Sequence, residues 1–303
     1  MNKKINMPLL RKKAAMGVYS AVRFLIIFGL GFIILKPIIS KLLLSFMSPG
    51  DLLDNTVSQI PKHWSLYYWR FAAKGLHLPQ SLINTVLLSF SISLIQVAVC
   101  TLIGFGLGRI KFKGAKPAFI AVIIIMMVPA QTINIAQYLT FVYFKIGGIT
   151  LNLSDSFWPL YILSFTGLGI KEGLYIYLLK EQFAAMPKDL EEAAYIDGAG
   201  IFSTFFRVMI PNAVTTMATV FLFSFCWQWT DTAYSGLYFT NLRVLANSIA
   251  DVQIKSGLSW DSAGTLIARN AASLIIMIPL LILFMFCQRF FVQSISHSGL
   301  SNG

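Results

Sequence analysis

The sequence predicts an all-α membrane protein with about six transmembrane helices. Hydrophobic residues make up 56% of the 303 residues and charged residues only 12%, whereas soluble domains carry about 25% charged residues. Several apolar runs reach the roughly 20 residues that a helix needs to cross about 30 Å of hydrocarbon. Polar and apolar residues do not alternate along these runs, so they do not have the pattern of barrel strands.

Polar segments separate the apolar runs and set the predicted organisation. The spans are expected at residues 22–46, 82–108, 118–144, 157–173, 212–232 and 267–291. Pro129 is expected to kink the third span, and the glycines and charged residues within 167–172 weaken the inner end of the fourth. Since there is no repeat or long linker, residues 22–292 are predicted to form one membrane domain. It lies between a basic cytoplasmic segment (1–21) and a cytoplasmic tail (293–303).

Basic residues cluster at the ends of the predicted spans and indicate the orientation of the chain. The net charge is +12. The clustered residues are Lys3, Lys4, Arg11, Lys12, Lys13, Arg23, Arg109, Lys111, Lys113 and Lys116. Because short loops rich in Lys and Arg stay on the cytoplasmic side, both termini and the segments 109–117 and 174–211 are expected there. No nucleic-acid partner is indicated, since the positive charges follow the span ends.

The polar segment before the fifth span is predicted to form short helices on the cytoplasmic face. Met186-Pro187 ends an amphipathic helix, because the residue before a proline avoids the helical region. Acidic residues favour the first turn of the next helix, which runs to about Ile196. Gly198 and Gly200 can end that helix with positive φ. A separate short helix is expected at 201–210.

A composite motif in this segment is the most specific feature of the chain. It consists of Leu190-Glu191-Glu192-Ala193-Ala194, Ile196-Asp197-Gly198-Ala199, Phe206 and Ile210-Pro211. The motif resembles the EAA loop of binding-protein-dependent ABC importer permeases. Its Asp-Gly-Ala form is similar to the carbohydrate-uptake class, which includes the membrane subunits of the maltose importer. Weaker similarities involve Pro37, Ser45-Phe46, Ile60-Pro61, Asn84-Thr85 and Trp229-Thr230-Asp231.

The resemblance implies the type I importer permease fold, with a cytoplasmic coupling helix in the loop at about 181–211. In such importers this loop docks into a cytoplasmic ATPase subunit. The expected coupling residues are Glu191, Glu192, Ala193, Ala194, Asp197 and Gly198. The resemblance also implies a second homologous permease, two ATPase subunits, an extracytoplasmic solute-binding protein and a sugar or oligosaccharide as substrate. It places the chain in a bacterial cytoplasmic membrane.

The chain is not expected to be an enzyme. It lacks the phosphate-loop pattern G-x-x-x-x-G-K-[ST], so ATP and Mg²⁺ are expected on the partner ATPase and no cofactor on this chain. No metal site is expected, because His63, His77 and His297 lie scattered in loops without metal-ligand spacing. An ion-coupled secondary transporter of a small polar solute is the alternative. Such a transporter needs buried carboxylates or discontinuous spans, and Asp231 is the single candidate carboxylate.

Polar residues inside the spans are candidates for a translocation pathway, because they are costly in the membrane unless they face a cavity or a partner helix. They are Gln131, Asn134, Gln137 and Tyr138 in the third span and Trp227, Gln228, Trp229 and Asp231 in the fifth. Both sets begin at similar depth, about 20 Å along their spans at 1.5 Å per residue. The alternative is that these side chains only form hydrogen bonds between helices.

Two further features admit two interpretations each. Lys36 falls near the middle of the first span, where it can snorkel outward or face the partner permease or an acidic sugar. Gly104, Gly106 and Gly108 could suggest a nucleotide-binding loop. No strand precedes these glycines, however, so close packing of helices is the better interpretation.

Overall fold

The computed structural model of the chain describes residues 7–256 and 259–299 and is mostly helical. The first elements are α1 (Met7–Ser45), α2 (Tyr67–Gly75), α3 (Leu78–Arg109), α4 (Ala115–Met127), α5 (Ala130–Val142), β1 (Phe144–Ile146), β2 (Ile149–Leu151) and α6 (Trp158–Phe165). They are followed by α7 (Glu172–Ala185), α8 (Asp189–Ile196), α9 (Ile201–Thr204), a π turn (Phe205–Met209), α10 (Ile210–Trp229), α11 (Ala233–Tyr238), α12 (Leu245–Ser248), a 3-10 turn (Ile249–Asp251), β3 (Ile254–Ser256), β4 (Ser259–Asp261) and α13 (Ser262–Gly299). The predicted helical fold class is confirmed, since the strands of the described residues form only two antiparallel hairpins, β1–β2 and β3–β4.

The chain divides into two compact units. One unit contains residues 1–72 and 252–274, and the other contains residues 73–251 and 275–303. The polar and charged features that concern function lie in the second unit.

In the first unit, Asp51 organises the loop that follows α1. Its carboxylate accepts hydrogen bonds from the backbone N–H groups of His63 (2.9 Å) and Lys62 (3.1 Å) and from the His63 ring (2.8 Å). These donors, chiefly the backbone N–H of His63, hold the pKa of Asp51 below its usual range. The indole N–H of Trp69 donates to Ser45 Oγ at 3.1 Å, so this aromatic residue has a partner within the unit.

Four helical stretches among the described residues are long and apolar enough to cross a membrane. They cover residues 16–45, 78–109, 201–229 and 262–288. α4 and α5 together form a fifth stretch of sufficient length, but the two helices meet at an angle of 103°. The expected kink is confirmed, since Pro129 stands in an extended conformation between these two helices.

The fourth predicted span, residues 157–173, is not a single helix. α6 ends at Phe165 and α7 begins at Glu172, and between them Gly167 and Lys171 adopt positive φ angles of 77° and 58°. α7 then continues for 14 residues, or about 21 Å at 1.5 Å per residue. The break therefore separates two helices, whereas the sequence placed the weak residues at the inner end of a single span.

Two expectations for the segment before the fifth span are wrong. No separate helix covers 201–210, because α9, the π turn and α10 form one continuous helix to Trp229. Pro211 lacks an N–H to donate to the preceding turn, and the π turn lies directly before it. Gly200 does not end α8 with positive φ, since its φ is −78°. Gly198, with φ of 80°, does so alone.

α3 and α7 pack against each other at very short distance. A Cβ atom on Gly104 would lie 2.8 Å from Leu179 Cβ and 2.9 Å from the Lys180 nitrogen, and one on Gly108 would lie 2.8 Å from the Lys180 oxygen. Contacts this short are sterically forbidden, so only glycine fits at both positions. The predicted close packing is confirmed for Gly104 and Gly108 but not for Gly106, where an added Cβ would have no atom within 4 Å.

One face of α3 carries small polar residues. The hydroxyls of Thr85 and Ser93 donate to the carbonyl oxygens four residues earlier, at 2.7 and 2.6 Å. Gln96, in contrast, is bonded outside its own helix. Ser224 Oγ donates to Gln96 Oε1 at 2.5 Å, and the Gln96 amide donates to Ser164 Oγ at 3.4 Å. α3, α6 and α10 thereby share one buried polar group.

Candidate functional site: an exposed acidic helix and a cavity beside a helix break

The short acidic helix α8 contains no buried residue. Glu192 and Ala193 are exposed, as are Asp197 and Gly198 at its end, while Glu191 and Ala194 are half-buried. Its apolar Ile196 is 85% exposed. The helix thus presents both acidic and apolar side chains at the protein surface.

Local sequence explains where α8 begins and ends. Acidic residues occupy its first turn, where they complement the positive end of the helix dipole. At the other end, the N–H of Ala199 donates to the Ala194 oxygen (2.9 Å) and the N–H of Gly198 donates to the Tyr195 oxygen (3.0 Å). This pattern, with Gly198 in the left-handed region, satisfies the last carbonyl groups of the helix. The turn predicted at Gly198 is confirmed.

Arg109, the last residue of α3, holds the start of this segment. Its Nε donates to Glu191 Oε1 at 2.9 Å, its Nη1 to the Met186 oxygen at 3.0 Å and its Nη2 to the Pro187 oxygen at 3.2 Å. The side chains of Arg109 and Glu191 are only 6% and 15% exposed. The sequence assigned Arg109 only to a basic loop, and no local signal indicates the contact with residues about eighty positions later.

A concave surface of about 970 Å³ lies between α8 and the loop that joins α3 to α4. Its charged lining residues are Arg109, Lys111, Lys113, Lys116, Lys188, Glu191 and Glu192. Most of the lysines are exposed, so the basic cluster predicted from the sequence and the acidic helix form neighbouring parts of one surface.

The polar residues predicted in the third span lie on α5. Gln131 is exposed, and Asn134, Gln137 and Tyr138 are half-buried. Within the part of the chain that the structure describes, the side-chain oxygens of Asn134 and Gln137 are buried and have no hydrogen-bond partner. Buried acceptors of this kind are costly unless another group satisfies them.

A cavity of about 590 Å³ brings part of this set together with the break between α6 and α7. Its polar lining residues include Gln131 and Gln137 from α5, Lys171 and Glu172 from the break, and Tyr234 from α11.

Lys171 is a charged residue at this cavity that the sequence did not identify as a site residue. Its Nζ lies 4.9 Å from the centre of the Trp227 ring, and Trp227 is 49% exposed. Glu172 is directed elsewhere, since it is 1% exposed and its Oε2 accepts the N–H of Gly169 at 2.6 Å. The cavity is thus lined by an accessible ammonium group and an engaged carboxylate.

Of the other predicted residues of the fifth span, Trp229 and Asp231 have partners within the fold. Trp229 is 1% exposed, and its indole N–H donates to the Ile276 oxygen at 3.1 Å. The Asp231 carboxylate accepts the backbone N–H groups at the start of α11, with the shortest bond, 2.7 Å, from Ser235. Gln228 is buried, and its Nε2 has no partner among the described residues. Trp227 and Gln228 therefore stay available as pathway residues, whereas Trp229 and Asp231 have structural partners.

These features define the class of the protein: a multi-pass helical membrane protein with an exposed acidic helix between α7 and α10 and a largely apolar cavity that contains a few polar groups. A sequence model of the family described as the binding-protein-dependent transport system inner membrane component matches residues 100–297. The chain belongs to this family.

Similar proteins include membrane permeases named for several solutes. The osmoprotective compounds uptake permease protein of Synechocystis is 26% identical over 276 residues, which cover 89% of this chain and 88% of that protein. The trehalose/maltose transport system permease protein of Thermococcus litoralis is 26% identical over 284 residues, 92% of this chain and 96% of that protein. A crystal structure of a bacterial ABC transporter involved in the import of the acidic polysaccharide alginate contains a chain of the same fold. The two chains superpose with a TM-score of 0.70 and are 19% identical in sequence, and the match covers 91% of this chain and 98% of that chain.

Proposed function

We propose that this chain is one permease subunit of an ATP-driven sugar or oligosaccharide importer. It would pair with a second, homologous permease to form the translocation pathway, with two ATPase subunits on the cytoplasmic side and a solute-binding protein outside. The exposure of α8, together with the family to which the chain belongs, carries this proposal. The sugar substrate is supported by relatives such as the trehalose/maltose permease.

The position of α8 in the chain explains how it can transmit movement. Residues 186–188 join it to α7, and residues 197–200 join it to the helix that continues to Trp229. A displacement of α8 by an ATPase would therefore act directly on two spans. Glu192 is the group that we expect to pair with a basic residue of the ATPase, and the small side chains of Ala193 and Ala194 allow close approach.

This arrangement assigns the chemistry to another subunit. ATP and Mg²⁺ would bind to the ATPase, and this chain, which has no phosphate-loop sequence, would act as the moving part. The same proposal places α8, the loop 109–117 and both termini in the cytoplasm, in agreement with the basic residues at the span ends.

The cavity beside the α6–α7 break is the proposed section of the pathway in this subunit. Gln131 and Gln137, which line the cavity, offer amides to sugar hydroxyls, and Lys171 adds a cationic donor. Asn134 lies on the same helix as these glutamines, and Trp227 offers an aromatic face beside Lys171. Charged residues within membrane spans usually face a cavity or pathway. The unsatisfied oxygens of Asn134 and Gln137 are groups that a passing hydroxyl could satisfy.

Replacement of Lys171 by Met is expected to reduce solute uptake about 10- to 100-fold, because hydrogen bonds to charged groups contribute about 1.5–3 kcal/mol. Uptake would be measured in proteoliposomes containing the whole transporter, with its binding protein and a panel of labelled oligosaccharides. Lys145→Met is the matched control, since Lys145 is exposed on β1. Full uptake by Lys171→Met, with the same amount of assembled complex, would remove Lys171 from the pathway.

Purification of the tagged chain from its native membrane tests the subunit composition. The expected companions, identified by mass spectrometry, are a second permease and a protein with the phosphate-loop sequence, and addition of ATP should drive uptake. Two structural observations favour a different class, because the break between α6 and α7 and the buried Glu172 are features of ion-coupled transporters. Uptake driven by an ion gradient without any ATPase would establish that alternative instead.

A further inference from the structure

We infer that Arg109 fixes the coupling helix α8 to the end of α3, so that a third span moves with the two that α8 joins. In this assignment the adjacent glutamates have different tasks. Glu191 pairs inside the chain, and Glu192 pairs with the ATPase. The inference deepens the proposed function and rests on it only for the source of the movement.

The geometry of the guanidinium group carries the assignment. Arg109 bonds to one side chain and to two backbone carbonyls, and these three acceptors belong to Glu191, Met186 and Pro187. Met186 and Pro187 lie in the junction between α7 and α8, and Glu191 lies in the first turn of α8. A planar guanidinium can direct separate N–H groups to several acceptors at once, which a lysine ammonium at the end of a flexible chain does less well.

The surroundings of Arg109 make this attachment stiff. Directly before it, Gly108 brings α3 within van der Waals contact of the α7 backbone at Lys180 and Ala184. The ion pair itself is largely buried, with the two side chains 6% and 15% exposed. A buried charge pair is weakened by salt much less than an exposed one. α3 is therefore held to α7 by backbone packing and to the start of α8 by a shielded ion pair.

Glu192 stands in contrast to its neighbour. It is exposed, and within residues 7–256 and 259–299 its carboxylate forms no ion pair or hydrogen bond. Successive residues of a helix point about 100° apart, so one of the two carboxylates can face the protein while the other faces outward. The sequence gives both residues the same chemistry, and the fold separates their roles.

In the importer, α3 would follow α8 without touching the ATPase. α3 also supplies Gln96, which is bonded to Ser224 on α10 and to Ser164 on α6. Loss of the Arg109 attachment should leave ATPase docking intact and allow α8 to move relative to α3, which stays packed against α7. Arg109 is in this sense a positioning residue.

The experiment measures whether α3 and α8 move together. In the assembled transporter in nanodiscs, spin labels are attached at Leu102→Cys on α3 and Tyr195→Cys on α8, both exposed positions. Cys226 and Cys287 are replaced by Ser, because they are not fully buried, whereas Cys100 is. Pulsed EPR then gives the distance between the labels without nucleotide and with ATP, and co-purification reports the bound ATPase.

With Arg109 present, we expect a narrow distance distribution that ATP does not shift. In Arg109→Gln or the milder Glu191→Gln, the distribution should broaden and shift with ATP, while the ATPase still co-purifies. The exchange Arg109→Glu with Glu191→Arg should not restore the narrow distribution, because a carboxylate at position 109 cannot donate to the carbonyl oxygens of Met186 and Pro187. Glu181→Gln, which breaks the more exposed Lys180–Glu181 pair (2.8 Å), should change nothing.

The inference is overturned if Arg109→Gln and Glu191→Gln keep the same narrow distribution in both states. It is also overturned if either variant releases the ATPase, because Glu191 would then be part of the docking surface. The proposed function fails in a different way, namely when neither the unchanged chain nor any variant binds an ATPase.

Discussion

Reversal of charge at Glu192 combined with Ala194→Leu is expected to release the ATPase and abolish import. Removal of one partner from a desolvated charge pair at an interface costs about 2–5 kcal/mol, and each 1.4 kcal/mol is about a factor of ten in affinity. Glu192→Arg would place two positive charges together if its partner is basic. Leu at position 194 would add a clash where a small side chain allows close approach.

Co-purification of the ATPase with the tagged chain, followed by ATP-dependent solute uptake in proteoliposomes, measures both effects. Glu181→Arg is the matched control, because it makes the same change of charge on the neighbouring helix α7, where Glu181 is exposed. The control should retain the ATPase and uptake. If the Glu192/Ala194 variant also retains both, α8 is not the element that receives the work of ATP hydrolysis.

The second large effect is expected for Gly104→Leu, which should prevent correct folding. Even the first added carbon would lie 2.8 Å from Leu179 Cβ and 2.9 Å from the Lys180 nitrogen. Overpacking of a tight core costs about 1–3 kcal/mol when side chains can adjust, and here a backbone atom is one of the obstacles. α3 and α7 would have to separate along much of their shared length.

The yield of monodisperse protein in detergent and its thermal unfolding midpoint measure this effect. Gly106→Leu provides a control of the same chemistry two residues away, since no atom lies within 4 Å of the position that its Cβ would occupy. Gly106→Leu should behave like the unchanged protein. Equal loss in both variants would mean that helix propensity or insertion, rather than the contact with α7, determines the result.

Local sequence was sufficient to predict those features of the fold that depend on residues close together in the chain. Apolar runs predicted the long helices α1, α3 and α13, Pro129 predicted a kink, and Gly198 predicted the end of α8. The composite motif around Glu192 identified the family. Each of these signals lies within one helix or one short segment, so no knowledge of the tertiary fold was needed.

Features that depend on distant residues could not be obtained in this way. In the sequence, Arg109 is one of several basic residues near a span end. Its hydrogen-bond acceptors belong to a distant segment that only the packing of α3 on α7 brings near. Hydropathy placed Lys171 at the end of a predicted span, because it does not show that a second helix, α7, follows a break in the chain. Trp229 and Asp231 looked like other polar residues in spans, and their partners are evident only from the fold. The role of the pathway residues stays a prediction.

The polar face of α3 has a consequence for the biogenesis of the protein. Thr85 and Ser93 bond within their own helix, so these hydroxyls are satisfied as soon as α3 leaves the ribosome. The hydrogen bonds of the Gln96 side chain can form only after Ser164 and Ser224 have been translated, 68 and 128 residues later. At about 5–20 residues translated per second, that delay is on the order of 3–26 s. Nascent α3 would therefore remain incompletely satisfied in lipid, a target for chaperones or proteases, until translation has delivered α10.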